Sequence, residues 1–184
     1  MNTEKKAYTL SILVEDTPGV LSQVARLFSR KGYNIESICA GPALGSGTTR
    51  ISVVMLGDET SVHQIATQVA KLLPVISVDV LFGEDAITRD MVLVKVKAET
   101  RDAREDIIQI TNVFRGSIVD FGTSTLVIAV VGAAEKIKAM LKLLDDYGIL
   151  ETAHTGMVAL ARGQQTIYDQ NKLKEEYNYG KNVL

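Results

Sequence analysis

Residues 9–15 largely alternate. Leu10, Ile12 and Val14 share one face and Thr9, Ser11 and Glu15 the other, the two-residue period of a strand. Asp16-Thr17-Pro18-Gly19 then reads as a turn opening a helix, with Asp16 or Thr17 as cap and Pro18 at the first helical position. That helix carries Val20, Leu21, Val24, Leu27 and Phe28 on one side, with Arg30 and Lys31 at its cation-favouring end and Gly32 as terminator. A strand over 35–40, a Gly/Pro-rich loop over 41–47 and a strand over 49–56 form a hairpin. A second helix covers 59–73, with Val62, Ile65, Ala66, Val69, Leu72 and Leu73 in phase, until Pro74 stops it; a fourth strand follows over 75–82. The order is β-α-β-β-α-β.

Residues 83–89 are short and polar and read as a linker. The order then repeats: strand 91–96, helix 101–114, hairpin strands 117–121 and 125–131, helix 133–147, and a last strand within 149–160. The repeat is one of pattern and hardly of identity, and pattern is the level that decides fold. The fold class expected is α+β. Two ferredoxin-like βαββαβ domains each have an antiparallel sheet with helices on one face. The expected domains are residues 1–82, a linker 83–89, residues 90–163, and a polar tail 164–184 with a short helix at most around Asp169–Tyr177. Residues such as Ile51–Leu56 put apolar side chains on both sides of a strand, so the helix-free face of a sheet should pack against the other domain or another chain.

Composition narrows the function. Hydrophobic residues are 46% of 184, ample for globular cores, and 20 basic against 22 acidic side chains give no general basic character. The third strand, RISVVML, has no aromatic residue for stacking on bases, which counts against nucleic acid. One cysteine, Cys39, forbids an intrachain disulfide and fits a reducing compartment. No apolar run approaches the roughly 20 residues of a membrane span, and the start reads as a strand rather than a leader, so a cytoplasmic location is expected.

The candidate chemistry is sparse. The amides just after Gly19 lie at a helix amino terminus, where donors point outward and the dipole favours a small carboxylate; the plain alternative is a helix cap. Arg50, Lys95 and Lys97 are strand cations better read as solvated or paired than as phosphate ligands. His63 and His154 have no catalytic partner nearby in sequence, and Cys39 reads as a small buried hydrophobe. No P-loop, HExxH or GxSxG occurs, and two histidines with one cysteine make no familiar zinc cluster.

LVEDTPGVLSQVARLFSRKGYNIESI, Leu13–Ile38, resembles the first half of an ACT domain, specifically that of the regulatory (small) subunits of acetohydroxyacid synthase, or acetolactate synthase. MVLVKV (91–96), FRGSIVD (114–120) and HTGMVALARG (154–163) resemble the carboxy-terminal signatures of the same family. The resemblance runs from about Thr9 to Gly163. It implies a non-catalytic regulatory subunit that binds a thiamine-diphosphate-dependent catalytic subunit, raises its activity, and confers feedback inhibition by valine or a related branched-chain amino acid. Thiamine diphosphate, Mg and FAD are expected in that partner, with no cofactor or metal in this chain and no nucleic-acid or membrane partner. It also implies a homodimer with the effector at its interface, met by Asp16, Gly19, Val20 and Leu21 of one copy and Asn34 and Ile35 of the other. Asp16 stands where the family usually has Asn, and His154 where it commonly has Arg. The alternative is a stand-alone amino-acid-binding ACT module serving another enzyme.

Overall fold

β1 (Lys6–Glu15) is buried along most of its length because it lies in the middle of a sheet and is covered on both faces. The computed structural model describes residues 6–169. Within them the chain forms two compact units, residues 6–87 with 157–169, and residues 88–156.

In the first unit β1 pairs antiparallel with β3 (Thr48–Gly57) and β4 (Val75–Leu81), and β2 (Ser37–Pro42) adds to β3, giving the order β2-β3-β1-β4. Leu10 opposes Val53 and Ile12 opposes Ile51, so one face is apolar throughout. Onto it pack Val24 and Phe28 of α1 (Val20–Arg30) and Val62, Ile65 and Val69 of α2 (Glu59–Ala70). Asp58 caps α2, its carboxylate accepting from the Ser61 amide at 2.8 Å and the Ser61 hydroxyl at 2.9 Å. These hydrogen bonds hold the Asp58 carboxyl below the usual aspartate range.

The opposite face of this sheet is also largely buried but mixed, with Leu13, Val54 and Leu81 beside serines, Thr9 and Asp79. The register aligns Ser11 with Ser52 and Asp79, and Leu13 with Arg50 and Ser77. Arg50 donates to the Ser11 hydroxyl at 2.7 Å; burial lowers its pKa, with Tyr168 and Asp79 acting in the other direction. The cover is the chain itself, residues 157–169. The Met157 amide donates to the Ser37 hydroxyl at 3.0 Å, the Ser77 hydroxyl donates to the Ile167 carbonyl at 3.0 Å, and Ile167 is only 3% exposed. Sequence analysis assigned residues 157–163 to the second domain and 164–169 to the tail; here they lie with the first unit. The short helix expected around Asp169–Tyr177 falls almost wholly outside the described residues.

The second unit repeats the topology. β5 (Ala86–Lys97), β6 (Ser117–Phe121), β7 (Thr125–Gly132) and β8 (Ile149–His154) take the order β6-β7-β5-β8. α3 (Arg101–Val113) and α4 (Ala134–Asp145) cover one face, closing Val92, Val94, Leu126, Ile128, Ile107, Met140 and Leu144 into a core. The Thr100 hydroxyl caps α3 by accepting from the Ala103 amide at 3.2 Å. The helix-free face leaves Met91, Leu93 and Val131 substantially exposed.

Two boundaries differ from the sequence reading. Only residues 83–85 of the expected linker are a turn, a single 3-10 segment; β5 already begins at Ala86, whose side chain is buried with Leu81 and Ala159. The expected last strand is two, β8 and β9 (Val158–Ala161), because Gly156 at φ +84° turns the chain between them. β9 pairs with β5.

Candidate functional site

The turn after β1 is built around Gly19. Its φ of +86° is the left-handed conformation that L side chains resist, and it places Val20 as the first helical residue. Gly19 therefore occupies the cap position, and neither Asp16 nor Thr17 caps with its side chain, contrary to the sequence expectation. The reason is geometric. The Asp16 amide is bound to the Gly47 carbonyl at 2.8 Å and the Thr17 amide to the Glu15 carbonyl at 2.9 Å, which fixes the backbone of both residues ahead of the cap.

The helix end is thus left open. A helix cannot satisfy its own first N–H groups, and among the described residues the amides of Gly19, Leu21 and Ser22 have no acceptor. The Val20 amide reaches Thr17 O at a long 3.3 Å, while its side chain is committed to the core. No acidic residue stands in the first turn to neutralise the positive end of the helix dipole. Leu21 is 42% exposed beside these amides, and a Cβ built on Gly19 meets nothing within 4 Å. The Asp16 carboxylate is exposed and makes no hydrogen bond or ion pair among the described residues. The arrangement presents donors, open space and an apolar side chain, with a carboxylate at its margin.

Asn34 and Ile35 lie at the far end of the same helix, in the segment leading into β2. At 1.5 Å per residue the 11-residue α1 is about 16 Å long, and among the described residues no hydrogen bond joins these residues to the Asp16–Gly19 turn. One chain does not bring the two halves together. The Asn34 side-chain N–H donates to the Glu36 carboxylate at 2.7 Å, which leaves its carbonyl oxygen as the free acceptor. Ile35 is half-buried against the first core.

The edge strand beside Asn34 is also open. β2 alternates half-buried and exposed residues, whereas β4 at the other edge is largely buried.

The remaining candidates resolve into structural roles. Lys95 faces Glu151 at 3.9 Å in an exposed pair, which contributes little. His154 Nδ1 lies 2.8 Å from Asp90, whose other oxygen accepts from Thr155 at 3.1 Å, so the histidine keeps a charge partner of its own. Cys39 is half-buried on the sheet face away from the helices rather than in the core. His63 is exposed on α2 beside an open surface cavity of about 610 Å³ that also includes Lys31, Tyr33, Glu59, Gln64 and Gln68. Among the described residues no group of three or more His, Cys, Asp or Glu is placed to hold a metal ion, and no helix is long and apolar enough to cross a membrane. Sequence reasoning missed the loop over 43–47 as a neighbour of the site. Its only signal is the glycine at 47, whose carbonyl receives the Asp16 amide.

Comparison with known proteins matches two family models. "AHAS small subunit-like ACT domain" covers residues 10–77 and "Small subunit of acetolactate synthase" covers 89–163. A Methanothermobacter thermautotrophicus protein titled "Probable acetolactate synthase small subunit" is 43% identical over 164 residues, covering 89% of this chain and 98% of that protein. The acetolactate synthase small subunit of Mycolicibacterium smegmatis is 38% identical over 167 residues, covering 91% and 98%. The crystal structure of the Thermotoga maritima acetolactate synthase small subunit superposes with a TM-score of 0.80 at 34% identity, covering 87% of this chain and 99% of that one.

Proposed function

The chain belongs to the acetolactate synthase small-subunit family, whose role is regulatory, and from that premise we propose that it binds and activates a catalytic subunit and makes it sensitive to a branched-chain amino acid. The catalytic partner, in this reading, carries thiamine diphosphate, magnesium and FAD, and the pair works in the cytoplasm. The first unit binds effector and forms the dimer.

The observation that carries the reading is the open end of α1. A free amino acid offers a carboxylate, an ammonium and a side chain. The carboxylate meets the Gly19 and Leu21 amides, where charge-assisted hydrogen bonds and the helix dipole act together. The ammonium needs acceptors, and the Asn34 carbonyl oxygen, freed by Glu36, supplies one. Asn34 lies past the opposite end of α1, a helix about 16 Å long, from Gly19, so it serves the site of a second copy. Two copies joined through their β2 edges place Asn34 and Ile35, which lead into that strand, at the junction. The branched side chain is then enclosed by Leu21 and the partner's Ile35. Occupancy of a site shared between copies alters the energy of their arrangement, and by linkage the arrangement alters affinity.

The test is reconstitution. The purified chain is mixed with the catalytic subunit encoded in the same organism, and acetolactate formation is followed with and without L-valine, L-leucine and L-isoleucine. A stable complex with a raised rate, lowered again by one of the three, is expected. Absence of a complex, together with an unchanged rate, refutes the role.

A further inference from the structure

Both faces of the first sheet are covered, one by an apolar layer and the other by a mixed one. Leu10, Ile12, Val14, Ile51, Val53 and Met55 form the face under the helices. The face under residues 157–169 is mixed: Thr9, Ser11, Ser52, Ser77 and Asp79 stand beside the buried Leu13, Val54 and Leu81. Water replaces the partners of hydroxyls and carboxylates at small cost, but not those of leucine and isoleucine. The cover over this mixed face buries fewer apolar side chains than the helices do, so it is the layer of this unit that leaves at the lower cost.

Its final stretch is a preformed latch. The Asp169 carboxylate accepts from the Thr166 hydroxyl at 2.6 Å and the Thr166 amide at 3.1 Å, and the Asp169 amide returns to Thr166 O at 3.2 Å. This self-bonded turn presents Ile167 inward, buried and held by Ser77, and Tyr168 sideways. The Tyr168 hydroxyl accepts from the Leu44 amide at 2.9 Å. Leu44 belongs to the same tight loop as Gly47, bound across by Ala43 N to Thr48 O at 3.0 Å and by the Thr48 hydroxyl to Gly45 O at 3.1 Å. Gly47 O in turn receives the Asp16 amide at 2.8 Å. Hydrogen bonds and the short backbone of the 43–48 loop thus join the latch to the turn that carries Gly19. Ile167 and Tyr168 lie beyond residue 163, where the match to the family model ends.

We propose that residues 164–169 are a regulatory strap whose docking, through Tyr168 and the 43–47 loop, holds the Asp16–Gly19 turn in its effector-binding form, so that strap docking and effector binding strengthen one another. The inference rests on the effector reading above. Its direction follows from preorganisation: with the strap down, the Asp16 amide keeps its acceptor in place and the turn need not be ordered when the effector arrives.

The experiment is calorimetric titration of L-valine, L-leucine and L-isoleucine into the full chain and into Tyr168→Phe. It is paired with hydrogen exchange at the Leu44 amide with and without the amino acid that binds. A net hydrogen bond is worth enough to shift the dissociation constant by roughly two- to tenfold, so Tyr168→Phe should weaken binding by that factor. Effector should slow Leu44 exchange in the wild type, and that response should shrink in the variant; a merely structural tyrosine gives no effector-dependent exchange. Ile167→Ser, which loosens the strap from its other anchor, should weaken binding in the same direction and serves if the first variant folds poorly. Wild-type affinity in both variants, with Leu44 exchange indifferent to effector, overturns the coupling while leaving the effector site standing. Failure of the wild type to bind any of the three overturns the effector reading and the coupling with it.

Discussion

Replacing Gly19 by alanine and by aspartate separates backbone strain from anion recognition. The residue sits at φ +86° with nothing within 4 Å of a built Cβ, so either substitution is sterically free and its cost lies in the backbone. A left-handed L residue costs about 1–2 kcal/mol. For a unit of this size that is a fall in melting temperature of roughly 4–16 °C for Gly19→Ala. Aspartate tolerates the conformation better and its carboxylate complements an α1 amino terminus that has no acidic residue of its own, recovering about 0.3–1 kcal/mol. Gly19→Asp should therefore be the more stable of the two variants. For the effector the order reverses. The new carboxylate competes for the open amides and repels a bound carboxylate by about 1–4 kcal/mol at contact distance near a protein surface. Affinity for a branched-chain amino acid should drop at least about fivefold below that of Gly19→Ala. Differential scanning calorimetry and isothermal titration on the two proteins read both orders. Equal effector affinity in the two variants would refute an anion site at this turn, whatever their stabilities.

Asp16→Asn removes a negative charge beside the proposed carboxylate position and should tighten effector binding several-fold, measured by the same titration; weaker binding would mean that Asp16 holds the ammonium. Asp58 makes a pH prediction whose sign is fixed by its depressed carboxyl pKa. The stabilisation is complete above the ordinary aspartate pKa of about 3.9 and is lost as pH falls through the lower folded value. Thermal melts between neutral and acid pH should lose part of that slope in Asp58→Asn, and an unchanged slope would contradict the capping role. Leu10→Ala opens a cavity in the central strand beneath α1 and α2 and should cost about 2–5 kcal/mol in denaturant unfolding of the first unit.

The repeated β-α-β-β-α-β order was legible because each element carries its own period. TLSILVE could only be a half- or fully buried strand, and Val24, Leu27 and Phe28 only a helix face. What the sequence hid depends on tertiary contact. D-T-P-G offers several residues that could cap α1; the choice of Gly19 follows from Gly47 O taking the Asp16 amide, a partner 31 residues away in the chain. HTGMVAL reads as one strand until Gly156 is seen at a positive φ. The strap was invisible since Ile167 is a single apolar residue among polar ones, and a lone anchor has no periodicity. The site was half legible: Gly19 at a helix start is a pattern, but the distance that gives Asn34 to another copy follows only from the observed length of α1.

The most direct test of the shared effector site is a crystal structure of the full chain grown with L-valine. The account predicts two copies meeting along β2, with the valine carboxylate on the Gly19 and Leu21 amides of one and its ammonium on Asn34 of the other. Valine bound elsewhere, or copies joined through a different surface with the α1 end vacant, would contradict it.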